Sequence, residues 1–151
     1  KGARILILMS PNKPAPLKYL AEFGDEMTRR GYEYTRANFS DFQVLADVVD
    51  CFESVFLLTD ANPQYSEYRA FDMMLWPFMA NSKIKRRIII SFGTPYMLYD
   101  VAGCDTYINS YHDCKYSIHA TIRAMFGEIP FQGRSPVSVP NCFSFGDGLS
   151  C

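Results

Sequence analysis

The stretch RILILM, residues 4–9, decides the fold. It is a short, unbroken apolar run, and it ends at the turn-prone Ser10-Pro11-Asn12-Lys13-Pro14. A strand with one wet face alternates apolar and polar residues, whereas a strand covered on both faces does not need to. Two further runs are of the same kind: SVFLLT at 54–59 and RIIISF at 87–92. Weaker extended signals lie at 32–38 and 105–110. Between the strands the apolar spacing changes to three and four. Leu17, Leu20, Phe23 and Met27 form one helical stripe; Phe71, Met74, Leu75 and Phe78 form a second; Ile118, Ile122, Met125 and Phe126 form a third. Pro16 suits the first turn of the first helix, and Gly31 and Gly127 suit helix ends. Ser40 or Asp41 is expected to cap a short helix running to about Val49. Pro77 removes one N–H and is expected to kink the second main helix or tighten its end. A further helical turn is expected over 97–101.

Alternating helices and continuous apolar strands define an α/β fold with a parallel sheet and right-handed crossovers. The expectation is a three-layer αβα sandwich of flavodoxin-like strand order, with five or six mainly parallel strands. After Gly127 the pattern gives way to GEIPFQGRSPVSVP, an extended tail rich in proline and glycine. Pro130, Pro136 and Pro140 each fix φ and remove a donor, while Gly127 and Gly133 permit reversals. Phe131, Phe143 and Phe145 are candidate anchors for this tail. Residues 1–140 read as one α/β domain, and 141–151 as a linker or tail.

The chain of 151 residues carries a net charge of −1, with basic and acidic residues interspersed. That distribution gives no footprint for nucleic acid or an anionic membrane. The cluster Lys83, Lys85, Arg86 and Arg87 reads as a solvated connection between helix and strand. No apolar run approaches the ~18 residues of a membrane span. The chain starts at Lys1 rather than methionine, as a processed or partial polypeptide would. Its five cysteines include no CxxC or CxxH pair, so no metal site is expected. Cys51 and Cys104 read as buried thiols, and Cys142 and Cys151 as exposed ones.

Ligands of open α/β sheets bind beyond the carboxyl ends of the strands. The loops to inspect are therefore 10–15, 60–66, 93–96 and 111–115. None carries GxGxxG or GxxxxGK[ST], so no nucleotide or flavin cofactor is expected. Asp60, Asn62, Gln64 and Glu67 make one loop polar and supply two carboxylates, suited to ligand contact or acid/base work. Its plainer reading is a helix start, with Ser66 as cap and Glu67 in the first turn. His112 and His119 are the only histidines. Adjacent His112 and Asp113 do not naturally face one another, His119 reads as exposed, and Cys114 has no evident base partner. The residues alone yield no self-sufficient catalytic set.

The second half of the chain resembles the C-terminal domain of glycoside hydrolase family 3, the β-glucosidases and β-N-acetylhexosaminidases. The resemblance rests on four features: the turn Ser91-Phe92-Gly93-Thr94-Pro95-Tyr96; the aspartate and strand from Asp105 to Ser110; Met125-Phe126-Gly127-Glu128-Ile129; and Gly133-Arg134 followed by Ser135 to Pro140. It covers roughly residues 87–140; in the first half only the element order agrees. Ser135 departs from the leucine usual at its position. The resemblance implies a retaining glycosidase whose nucleophilic aspartate lies in a TIM barrel absent from this chain. Two carboxyl-type roles about 5 Å apart are needed for retention, so this chain by itself is expected to be inactive. In the β-glucosidase branch this domain supplies the acid/base glutamate, for which Glu67 is the candidate. The short 60–66 loop favours instead the hexosaminidase-like branch, in which the domain scaffolds the barrel or lends loop contacts. Thr94 and Tyr96 are the candidates for facing the barrel. The implied partners are the barrel and, through it, a carbohydrate; the implied location is periplasmic or extracellular in a bacterium. A stand-alone scaffold or a flavodoxin-like binding module is the alternative.

Overall fold

The computed structural model describes residues 2–10, 17–60 and 68–149, with the side chains of 17–21 and 68–70 outside the description. Five strands, β1 (Arg4–Ser10), β2 (Glu33–Asn38), β3 (Ser54–Thr59), β4 (Arg87–Ser91) and β5 (Thr106–Asn109), form one sheet in the order β2-β1-β3-β4-β5. Every neighbouring pair is parallel. This is the flavodoxin-like order. The register sets Ile7 beside Phe56, and Phe56 beside Ile88.

The unbroken apolar runs have a direct cause. Along β1, Leu6 and Leu8 enter one core, while Ile5, Ile7 and Met9 enter the other. Along β3, Val55 and Leu57 serve the first core and Phe56 and Leu58 the second, and all six residues of the strand are buried. Successive side chains point to opposite faces, so a strand roofed on both sides must be apolar throughout.

The helices α1 (Leu17–Arg29) and α4 (Lys115–Met125) cover one face through Phe23, Met27, Ile118 and Ile122. The one-turn α2 (Phe42–Leu45) and α3 (Tyr68–Ala80) cover the other. There Phe39, Phe42, Phe71 and Phe78 pack ring to ring, with centroids 5.2 Å apart for Phe42–Phe78 and 5.3 Å for Phe39–Phe71. Gly31 and Gly127 take the left-handed φ of +87° and +70° that ends α1 and α4.

Several details differ from expectation. The short helix after β2 breaks into a 3-10 turn, Phe39–Asp41, then α2, then a second 3-10 turn, Val49–Cys51. Neither Ser40 nor Asp41 caps it; the Ser40 hydroxyl donates to Asp41 Oδ1 at 3.4 Å. Aromatic burial at Phe39 and Phe42, rather than capping, holds the segment in place. α3 runs through Pro77 to Ala80. Arg87 is not solvated like its basic neighbours: its Nε donates to Phe78 O at 3.3 Å and its Nη2 to Asn81 O, closing the carboxyl end of α3. Lys83 does stay at the surface, in a pair with Asp47 at 2.9 Å. Cys51 is exposed, because it ends a surface 3-10 turn. Pro16 lies outside the described residues.

The tail folds back on itself. Ser135 N–H donates to Asp147 O at 2.7 Å, Gly146 N–H to Ser135 O at 2.9 Å and Val139 N–H to Phe143 O at 2.9 Å. A Cβ on Gly148 would stand 2.1 Å from Gly133 O, so only glycine allows that approach. The anchor is Val139, fully buried. Phe131 and Phe143 are half-buried, but Phe145 is 73% exposed and anchors nothing.

Candidate functional site

The carboxyl ends of β3, β4 and β5 bring Thr59, Ser91 and Asn109 into line: Thr59 pairs with Ser91, and Ser91 with Asn109. Thr59 and Ser91 are fully buried. Ser91 organises the turn that follows. Its hydroxyl donates to Thr94 O at 3.3 Å and accepts the Gly93 N–H at 3.3 Å. The chain then enters a 3-10 turn, Pro95–Tyr99, with proline in its first position. Thr94 caps it, its hydroxyl accepting the Tyr96 N–H at 3.4 Å. Pro95 and Met97 point inward, and Tyr96 and Tyr99 turn outward.

The sequence-chosen residues therefore divide. Asp60 follows β3 directly and is partly buried at this end of the sheet. Thr94 spends its hydroxyl on a cap, whereas Tyr96 presents its ring to solvent. Asn62, Gln64 and Glu67 lie outside the described residues.

Beyond β5, Tyr111 adopts φ of +62°, a left-handed backbone that costs a bulky residue free energy. His112 Nδ1 accepts the Cys114 N–H at 3.1 Å and lies 3.4 Å from Asp113 Oδ1. That backbone bond turns the imidazole toward the start of α4 and gives it a structural role. Cys114 is the residue before α4, with its sulfur 3.4 Å from the Ser117 hydroxyl. The hydrogen bond from Ser117 draws this thiol below its ordinary value. Cys104 is the opposite case, with burial pushing its thiol up to about 11. His119 is half-buried rather than exposed. Its Nε2 lies 3.1 Å from Glu22 Oε2 and ties α4 to α1.

The reading of single residues missed Asn109. Its Oδ1 accepts the Tyr107 hydroxyl at 3.3 Å, while its buried Nδ2 has no acceptor. Only its place at the strand end, next to Ser110, could have marked it. The Ser110 hydroxyl accepts from Thr121 Oγ1 at 3.0 Å, a bond that fixes α4 to this end of the sheet. Among the described residues no group of three or more His, Cys, Asp or Glu side chains could hold a metal ion. No helix among them is long and apolar enough to cross a membrane.

The fold defines a flavodoxin-like α/β domain, with the described turns after β4 and β5 at the carboxyl ends of the strands. No family model matches the chain, and no curated protein matches it. Solved structures do. One is described as a fungal multi-domain GH3 β-N-acetylglucosaminidase containing a unique GCN5-related glucosamine N-acetyltransferase region. It matches at 24% identity over 97% of this chain and 17% of its own, with a TM-score of 0.75. A glycoside hydrolase family 3 β-N-acetylglucosaminidase from Paenibacillus sp. matches at 13% identity over 84% of this chain and 26% of its own, TM-score 0.63. The β-glucoside phosphorylase BglX bound to 2FGlc matches at 17% identity over 90% of this chain and 26% of its own, TM-score 0.63. At these identities the likeness is one of fold. The chain spans between 17% and 26% of the length of these three neighbours, each a larger polypeptide.

Proposed function

We propose that this chain is the α/β domain of a retaining β-glycosidase of glycoside hydrolase family 3, of the β-N-acetylhexosaminidase type. It packs against a TIM barrel that carries the nucleophile, and it contributes scaffolding and loop contacts rather than a complete catalytic set. The observation that carries this reading is the likeness of 97% of the chain to part of a multi-domain GH3 β-N-acetylglucosaminidase at a TM-score of 0.75. The family-like turn from Ser91 to Tyr96 agrees with it, standing at the carboxyl end of β4 with Tyr96 facing solvent.

Exposed apolar side chains on one side of the sheet support a covering barrel. Val44, Val48, Met73, Trp76, Tyr96 and Tyr99 are all exposed, on segments whose other residues pack into the α2–α3 core. Several exposed apolar side chains on one side of the sheet suit a surface that another body covers.

The test is to read the native frame upstream of Lys1 and express the chain with what precedes it. A TIM barrel with a nucleophilic aspartate, and turnover of aryl N-acetyl-β-glucosaminides only when both parts are present, is the expected result. Turnover of any aryl β-glycoside by the isolated chain, surviving stringent purification, overturns the proposal, as does an upstream frame without a barrel. In the joined enzyme, Glu67→Gln is expected to change kcat/KM by less than about tenfold. A loss of roughly 10²–10⁴-fold would make Glu67 the general acid/base and move the chain to the β-glucosidase branch.

A further inference from the structure

Among the described residues nothing pairs with the outer edge of β5. Ile88 stands beside Thr106 and Ile90 beside Ile108, and the Ser110 N–H donates to Ser91 O at 2.7 Å. In a parallel ladder this turns the main-chain groups of Thr106, Ile108 and Ser110 toward β4, and those of Tyr107 and Asn109 outward. No described residue pairs with these outward groups. The opposite edge of the sheet is protected differently. β2 is largely exposed and carries Glu33 and Arg36, charges that discourage strand pairing. β5, reading TYIN, carries none.

A groove of about 840 Å³ runs along the β5 edge. All of β5 lines it, Thr121 and Met125 of α4 contribute one side, and the tail from Ile129 to Ser135 bounds it further. The tail wall is held by the Ser135–Asp147 and Gly146–Ser135 main-chain bonds. Its own Ile129, Phe131, Gln132 and Gly133 N–H groups have no partner among the described residues. Both walls thus offer unpaired main chain. Asn109 lines the groove through its main chain, while its side chain turns to the Tyr107 face of the strand, where its Oδ1 accepts the Tyr107 hydroxyl.

The chemistry that satisfies main-chain donors and acceptors in a row is another main chain. A second copy of this chain fits poorly, because each β5 edge lies behind its own tail. A lone extended segment does fit. Charge narrows it further: Arg86 and Arg134 line the groove against the single carboxylate of Asp147, and Arg86 has no carboxylate partner among the described residues.

We propose that this groove binds an extended peptide segment, apolar at alternate positions and acidic at one end, and adds it to the sheet beside β5. The segment pairs with the main chain of Tyr107 and Asn109 and sets its carboxylate against Arg86. This holds whether or not the chain serves a glycosidase.

The test uses the whole 151-residue chain, isotope-labelled for amide hydrogen exchange. The probes are three acetylated hexapeptides: Val-Thr-Val-Thr-Val-Glu, Ile-Ser-Ile-Ser-Ile-Glu and Tyr-Thr-Val-Thr-Ile-Glu. At saturation with at least one probe, the Tyr107 and Asn109 amides are expected to exchange at least about tenfold more slowly. N-methylating the probe at the residues that face β5 is expected to weaken binding at least about tenfold, since it removes the pairing donors. Arg86→Gln is expected to abolish any preference for the glutamate-ended probe over its glutamine-ended form. The proposal is overturned if no probe slows these two amides at millimolar concentration. Equal binding of the N-methylated probe overturns strand pairing, and a glutamate preference that survives Arg86→Gln overturns the assigned orientation.

Discussion

Cys104 and Cys114 are ten residues apart in sequence, and their surroundings push their thiols in opposite directions. Cys104 sits half-buried against the α2–α3 core, where a thiolate would lose its hydration, and its thiol rises from 9.0 to about 11. Cys114 stands at the start of α4 with a donating hydroxyl from Ser117, and its thiol is lowered. Alkylation with iodoacetamide near neutral pH, followed by peptide mass spectrometry, should therefore modify Cys114 first and Cys104 last. A stability effect follows with a definite sign. Folding favours the protonated Cys104 thiol, so its contribution is complete below pH 9.0, the ordinary value, and is lost as pH rises through about 11. The thermal midpoint of Cys104→Ala should depend less on pH than that of the unsubstituted chain across this interval. Parallel profiles would show that the Cys104 environment does not disfavour the thiolate.

At the scale of elements, the carboxyl end of α1 is tied to the start of the tail by one side chain. Arg30, just past α1, pairs with Glu26 of that helix and with Glu128 just past α4, and its guanidinium lies 4.7 Å from the centre of the Phe126 ring. It is mostly buried, so these contacts are shielded from water more than those of a surface pair. Lysine has neither the planar fork nor the stacking surface. Arg30→Lys should cost about 1–2 kcal/mol in denaturant unfolding, close to the cost of Arg30→Ala, whereas Arg29→Ala should cost less than about 0.5 kcal/mol. Full stability in Arg30→Lys would reduce the cluster to simple charge. This tie was not legible in the sequence, because residues 30, 126 and 128 meet only after α1 and α4 lie side by side. The strands β1, β3 and β4 were legible, since burial on both faces writes itself as an apolar run. The segment after β2 was misread because Phe39 and Phe42 hold it by aromatic packing, which carries no capping signature. The candidate site was legible only as a set of turns. Periodicity located the strand ends, but the cap made by Thr94 and the oriented amide of Asn109 depend on side-chain directions that spacing does not encode.

On the scale of the whole molecule, the two faces of the sandwich are finished differently. Among the described residues, α1 and α4 show Tyr116 as an exposed large aromatic, whereas the α2–α3 side shows Met73 at 78% and Trp76 at 76% exposure, with Val44 and Val48 also exposed. Met73 and Trp76 are three residues apart on α3 and so share one face of the helix, pointing away from the Phe71–Leu75–Phe78 stripe. Side chains this exposed contribute little to the stability of the chain itself, so Met73→Lys combined with Trp76→Lys should shift unfolding of the isolated chain by less than about 0.5 kcal/mol. In a longer polypeptide whose barrel covers this face, the same pair places two charges in an apolar contact and should uncouple the domains. Calorimetry should then resolve two unfolding transitions where the unsubstituted polypeptide gives one. A single transition with an unchanged midpoint would mean that the barrel lies elsewhere. The docking face would then pass to the turn carrying Tyr96, which the Lys substitutions leave intact.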